Sequence, residues 1–420
     1  MKNNYSDFIS QEEMQQELKK VSSKKDIEMG GIPLCYDDEA VYMDVDMGHT
    51  LVIGSAGSGK TQSVVLPKIY STINAQHSII VDDEYNEIQR MLNDELESNN
   101  YKVYNFDFDN FTGAKWNPLD LVYKLYQDNN LDDAVMILEK IANYILADTN
   151  NNNSDPFWKE CCIQLFVGTS LYLLEKEKRL ITIQEVVNYA SKITIEDYNK
   201  LDDNSPSKIF LRVVMTAPND TKGSIISVFN NSVMCYSYSN KINDFLSEST
   251  INIEDLLNLR VALFINGCHS KQYITNLISI FVEELIYVCE KIKNKYIVNI
   301  VLDDFNDFVP FDNFGKILAY IRSVHVELTL CSTSLHRLSE IYGETSLEHI
   351  ISYFNKIIYL FANDEYTLEF ISNLCGDKRA NEKLITPTEL KLLKQFEAIV
   401  IKSRHLPFKT KLLPYYQYKK

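Results

Sequence analysis

The chain has 420 residues, 45% of them hydrophobic, which is enough for two or three domains or for one core carrying a large insertion. Its formal charge of −16 excludes a protein whose whole surface coats a nucleic-acid duplex. An acidic exterior leaves room for a locally basic groove or channel only.

Residues 1–29 are polar and charged and read as a short solvated helix or a tail. From about Gly30 the pattern becomes α/β, with strand-like runs at Thr50–Ile53, Ser78–Val81 and Lys102–Phe106 separated by helical stretches. After Trp116–Asp120 the strand signal disappears. Residues 121–240 carry apolar residues at helical spacing, and the polar tract Asp148–Pro156 within them reads as a mobile loop. Strand signals return at Val261–Ile265, Tyr296–Leu302, Glu327–Cys331, Lys356–Leu360 and Ala398–Ile401. The expectation is an α/β core over 30–120 and 241–420, interrupted by an all-α insertion over 121–240.

The apolar run Leu165–Leu174 falls well short of the eighteen or so residues of a membrane span, and the N-terminus carries no apolar signal core. Eight cysteines are scattered without a C-x-x-C pair, and the adjacent Cys161 and Cys162 fit buried reduced thiols. These features point to a cytoplasmic protein.

The stretch GSAGSGKT comprises Gly54, Ser55, Ala56, Gly57, Ser58, Gly59, Lys60 and Thr61, and follows a short apolar strand. It matches G-x-x-x-x-G-K-[ST]. Glycines at these positions let the backbone curl so that successive N–H groups face one phosphate, while a lysine reaches the β- and γ-phosphates. The Thr61 hydroxyl is placed to ligate Mg²⁺, and the helix that follows adds the positive end of its dipole. The motif predicts a site for ATP and Mg²⁺.

A second motif completes the first. The run KYIVNIVLDDFNDF ends an apolar strand on two acids. Asp303 is expected to support the Mg²⁺ hydration shell, and Asp304 stands where a catalytic carboxylate would orient or deprotonate water. An aspartate is one methylene shorter than the glutamate usual in that role, which predicts slow turnover. Arg322 follows nineteen positions after Asp303. It fits either a surface ion pair or a finger reaching the γ-phosphate of a neighbouring subunit. From Ala398 onward the chain has six lysines or arginines and no acid, with Phe408, Tyr415, Tyr416 and Tyr418 interleaved. That composition fits a closing strand with a solvated tail, or a nucleic-acid contact.

Together these segments resemble the coupling proteins of type IV secretion and bacterial conjugation, the TraG-like branch of RecA-fold ATPases. The resemblance runs from about Gly30 to Tyr418. It rests on the Gly54–Thr61 loop with Pro67, on Asp83 and Glu87, on WNPLD at 116–120, on DPFW at 155–158, on VLDDFNDF with Arg322, and on Leu338, Tyr342 and Gly343. Departures from the family pattern are Glu84, Tyr85 and Asn86 in place of P-K-G, Asp304 in place of glutamate, and Thr333 and Arg337 in place of two glutamines. Most members also begin with membrane-spanning helices.

The resemblance implies a RecA-like P-loop NTPase core and a homo-hexameric ring in which Lys60, Asp303 and Asp304 of one subunit work with Arg322 of the next. It implies delivery of single-stranded DNA with bound relaxase to a type IV secretion channel, with a separate membrane anchor protein holding the ring at the inner face of the membrane. An adaptor that binds nucleotide, hydrolyses it weakly and docks the relaxosome is the alternative, with other DNA-translocating ATPases behind it.

Overall fold

The computed structural model describes residues 6–147, 155–258, 260–291, 296–308, 310–311, 313–380 and 382–418. Residues 148–154 of the polar tract lie outside that set. The chain forms two compact units, one of residues 1–105, 253–266 and 288–420, the other of residues 106–252 and 267–287. The second is wider than the 121–240 stretch read from helical spacing.

The first unit is built on a mainly parallel sheet. Its strands run in the order Phe408–Lys411, Glu397–Lys402, Phe354–Phe361, His49–Gly54, Val326–Ser332, Val298–Leu302, Ser78–Asp82, Val261–Asn266 and Lys102–Asp107. Every strand position expected from the sequence is occupied. The strand His49–Gly54 is buried along its whole length, with Val52 opposite Cys331 on one side and Ile358 on the other. Continuous Val, Ile and Leu suit a parallel strand covered on both faces. Antiparallel pairing is confined to the two edges, where Glu397–Lys402 pairs with Phe354–Phe361 and Phe408–Lys411 at one end and the short strand Thr112–Gly113 pairs with Lys102–Asp107 at the other.

The helix Leu66–Asn74 lays Leu66, Ile69, Tyr70 and Ile73 on this sheet, and each such apolar side chain contributes roughly 1.5–3 kcal/mol on burial. A small antiparallel sheet joins Lys19–Val21, Val41–Asp44 and Ile32–Tyr36. The N-terminal segment is therefore no solvated tail. Its helix Gln11–Glu17, closed by a Ser10–Glu13 capping box, buries Met14, and Leu18, Val21 and Ile27 join the same core. Four apolar anchors among many charges were enough to fix it, which composition averages away.

The second unit is helical. Asp155 caps the long helix Pro156–Glu177, accepting from Phe157 N–H, and the apolar run Leu165–Leu174 is buried within that helix. Phe106, Phe108, Trp116, Phe245 and Phe281 form an aromatic core. In WNPLD, Trp116 Nε1 donates to Glu284 at 3.0 Å, and Asn117 Nδ2 donates to the carbonyls of Ile181 and Ser247. That signature is a structural tie. Burial drives the Glu284 carboxyl well above its usual range. All eight cysteines are free thiols. Among the described residues no helix is long and apolar enough to cross a membrane.

Candidate phosphate-binding site

The loop Gly54–Thr61 leaves the C-terminal end of its strand and turns back on Gly57 and Gly59, at φ +75° and +95°. Ser55 N–H donates to the Phe361 carbonyl at 2.8 Å, and Ser58 N–H closes a turn on the Ser55 carbonyl at 3.1 Å. A Cβ on Gly54 would meet Ser58 Oγ at 2.3 Å, so a larger residue there would have to displace that hydroxyl. Ser58 Oγ itself is buried and has no hydrogen-bond partner among the described residues.

Lys60 is 8% exposed, and its ammonium donates to the Gly54 carbonyl at 2.6 Å. No carboxylate pairs with it among the described residues. A buried cation held only by a peptide carbonyl is short of counter-charge. Thr61 is half-buried and opens a widened, π-type turn over Thr61–Val65 before the regular helix. Such turns recur at functional sites.

One strand away, Val298–Leu302 delivers Asp303 and Asp304 to the same edge of the sheet. Asp304 adopts a left-handed conformation, φ +47°, and its N–H donates to Asp303 Oδ1 at 3.1 Å. Burial, then the Asp304 charge, push the Asp303 carboxyl up, while the Lys60 charge pulls it down. Lys60 and Asp303 thus sense each other without forming an ion pair. On the intervening strand, burial first and then the Asp303 charge push the Cys331 thiol well above its usual range.

Three further contacts define the edge. Asn306 donates from Nδ2 to Thr333 Oγ1 at 3.0 Å and accepts from Ser332 Oγ at 2.9 Å. Arg337 pairs with Asp307 at 3.1 Å in a solvent-exposed contact. Asp83 accepts from the N–H groups of Glu87, Ile88 and Gln89, and so caps the helix Glu87–Ser98. Sequence reasoning missed Asn306, which carried no motif signal beyond its place two residues after the acid pair. It also missed Phe396, whose ring lies against Gly59 from a distant loop.

Arg322 is elsewhere. It is exposed in the last turn of the helix Phe314–Ser323, which runs from the acid edge back to the N-terminal edge of the sheet. There its charge acts on His49, at the start of the strand whose other end is Gly54. Six residues of strand span roughly 16 Å, so Arg322 does not serve the loop of its own chain.

Against this geometry, a sequence profile described as type IV secretory system conjugative DNA transfer matches residues 3–383. The chain belongs to that family. No curated protein gives a significant sequence match. Among solved structures, the fold of this family member is similar to that of the bacterial conjugative coupling protein TrwBdeltaN70 in its unbound form, with a TM-score of 0.68 at 13% identity over 97% of this chain and 93% of that one. TrwB in complex with the ATP analogue ADPNP superposes at a TM-score of 0.71, again at 13% identity and the same coverage. VirB4 of Thermoanaerobacter pseudethanolicus gives 0.60 at 12% identity, over 91% of this chain and 96% of that one. The core is thus a RecA-like NTPase fold of the TrwB kind.

Proposed function

We propose that this conjugative-transfer protein is a coupling ATPase that recruits single-stranded DNA with bound relaxase and delivers it to a type IV secretion channel. The observation that carries the proposal is the buried Lys60 ammonium, which among the described residues has a backbone carbonyl but no carboxylate and stands beside a loop whose Ser58 hydroxyl is also unpartnered there. An anion supplies what both lack. Inward N–H groups of Gly57–Thr61 would hold the β-phosphate of ATP, and Lys60 would bridge to the γ-phosphate.

Thr61 and Asp303 are the donors for Mg²⁺. Among the described residues no group of three or more His, Cys, Asp or Glu could cage a metal. That fits Mg²⁺, which keeps several waters and takes the rest of its ligands from phosphates. Bound there, the ion supplies charge neutralisation across the phosphates. Asp304 is the group that orients or takes a proton from attacking water. TrwB has been solved with ADPNP and with ADP and Mg²⁺, which supports the same cofactors here.

Arg322, on the far edge of its own sheet, is read as serving the adjoining copy. Six copies related head to tail would close a ring and bring each Arg322 to the next loop. The ring would work in the cytoplasm, held at the inner face of the membrane by an anchor protein. The helical unit would contact the relaxase-bound substrate.

The adaptor reading draws on two observations. Asp304 is short and held in a left-handed turn, and the Thr333 hydroxyl already accepts from Asn306. Steady-state ATP hydrolysis with and without single-stranded DNA separates the two. The motor reading expects DNA-stimulated turnover that Lys60→Ala removes. Equal hydrolysis by the two proteins would defeat it, and normal DNA transfer with no detectable hydrolysis would favour the adaptor.

A further inference from the structure

Phe396 is a bulky residue pressed on the phosphate loop at Gly59. It precedes the strand Glu397–Lys402, which runs antiparallel to Phe354–Phe361 and therefore begins at the loop edge of the sheet. Its φ is +69°, a left-handed conformation that a bulky aromatic rarely adopts. The surrounding turn enforces it. Glu397 N–H donates to the Lys394 carbonyl at 2.9 Å, Lys394 N–H donates back to the Glu397 carboxylate at 2.9 Å, and Leu412 N–H donates to the Phe396 carbonyl at 2.8 Å.

This turn aims the ring at Gly59. A Cβ on Gly59 would stand 2.8 Å from Cε1 and 3.0 Å from Cδ1 of Phe396, so glycine is needed there for the ring as well as for the turn. Phe396 remains half-exposed, and no other aromatic ring stacks on it among the described residues. Lys394 and Gln395 beside it are exposed and polar. The unit thus carries a strained, rigidly backed, partly open aromatic face beside the residue that precedes Lys60. Strain of this kind persists where surrounding contacts over-determine it, and it concentrates at ligand clamps.

Resting on the nucleotide reading above, we infer that Phe396 is the stacking platform for the base of the bound nucleotide. With phosphates in the loop, ribose and base would extend from its Gly59–Thr61 end, and the ring stands beside Gly59. A phenyl face recognises any base by stacking, so the platform adds affinity without reading base identity.

The test is calorimetric titration of the full chain with Mg²⁺ and either ATP or inorganic tripolyphosphate, which has the phosphates but no base. The unmodified protein is expected to bind ATP at least about 5-fold more tightly than tripolyphosphate, the factor that corresponds to about 1 kcal/mol, the lower end for base stacking. Phe396→Leu, which keeps apolar volume against Gly59, should lose about 10-fold for ATP and nothing for tripolyphosphate. Phe396→Tyr should restore ATP affinity. An equal loss for both ligands would make the ring a buttress of the loop and overturn the inference, as would unchanged ATP affinity in Phe396→Leu. If the unmodified protein binds neither ligand, the nucleotide reading falls and takes this one with it.

Discussion

Two buried lysines lie eight residues apart in the same first-unit segment, and they are treated in opposite ways. Lys68 is 5% exposed and pairs at 2.6 Å with Glu327, itself 6% exposed, at the N-terminal edge of the parallel sheet. Lys60, at the C-terminal edge, has only the Gly54 carbonyl among the described residues. The N-terminal edge carries a second paired cluster. Asp44 lies between Lys356 at 3.4 Å and Lys402 at 3.3 Å, and Lys402 also reaches Asp46 at 2.7 Å. Burial pushes the Glu327 carboxyl up, but the Lys68 charge and hydrogen bond hold it below its ordinary value. The difference separates structure from function. On the proposed reading, the Lys68 charge is consumed by the fold and the Lys60 charge is kept for a ligand.

The largest effect should come from Arg322. If it completes the site of the adjoining copy, Arg322→Ala should lower ATP hydrolysis by about 10³–10⁵-fold while leaving ATP binding near wild type. Mixing it with Lys60→Ala should restore part of the rate, because some interfaces then combine an intact Lys60 with an intact Arg322. Failure of mixing to restore any rate, in assemblies shown to contain both, would remove the shared site.

Glu327→Ala tests the other edge. It strands the Lys68 ammonium in the interior, and chemical denaturation should show a loss of about 3–5 kcal/mol. ATP affinity of the folded fraction should stay unchanged. A loss under 1 kcal/mol would mean that water reaches Lys68, and the contrast between the two lysines would weaken.

A smaller effect is expected from His77, which lies near the same pair. Burial first, and then the Lys68 charge, lower its pKa from 6.5 to about 4, against the opposing pull of Glu327. Between those values the unfolded chain takes up a proton that the folded chain refuses. Stability should therefore fall as pH drops from 6.5 to about 4, by at most about 3 kcal/mol from this group. Urea midpoints measured across that range should flatten in His77→Gln. An unchanged slope would assign the pH dependence to other groups, His49 first, since burial lowers its pKa as well.

Much of this was legible in the sequence. Gly54–Thr61, the apolar strands and the Asp303–Asp304 pair are local patterns, and local sterics decide them. The packed N-terminal segment was not legible, because Met14, Leu18, Val21 and Ile27 are dispersed among charges at no single period. The basic closing segment was legible as a closing strand, which Glu397–Lys402 forms, but not in its pairing. Lys402 is paired with Asp44 and Asp46, and Phe408 and Tyr415 are buried, so part of its charge and aromatic surface belongs to the fold. The partners of Lys68 and Thr333 lie 259 and 27 residues away, and only the folded sheet brings them together.

Lys60→Met carries the comparison to its sharpest point. Removing a buried ammonium that lacks a carboxylate partner should leave folding stability at or above wild type, while calorimetric titration with ATP and Mg²⁺ gives no binding heat. Wild-type ATP affinity in Lys60→Met would mean that this ammonium is not held in reserve for triphosphate, and the assignment of the loop would be wrong.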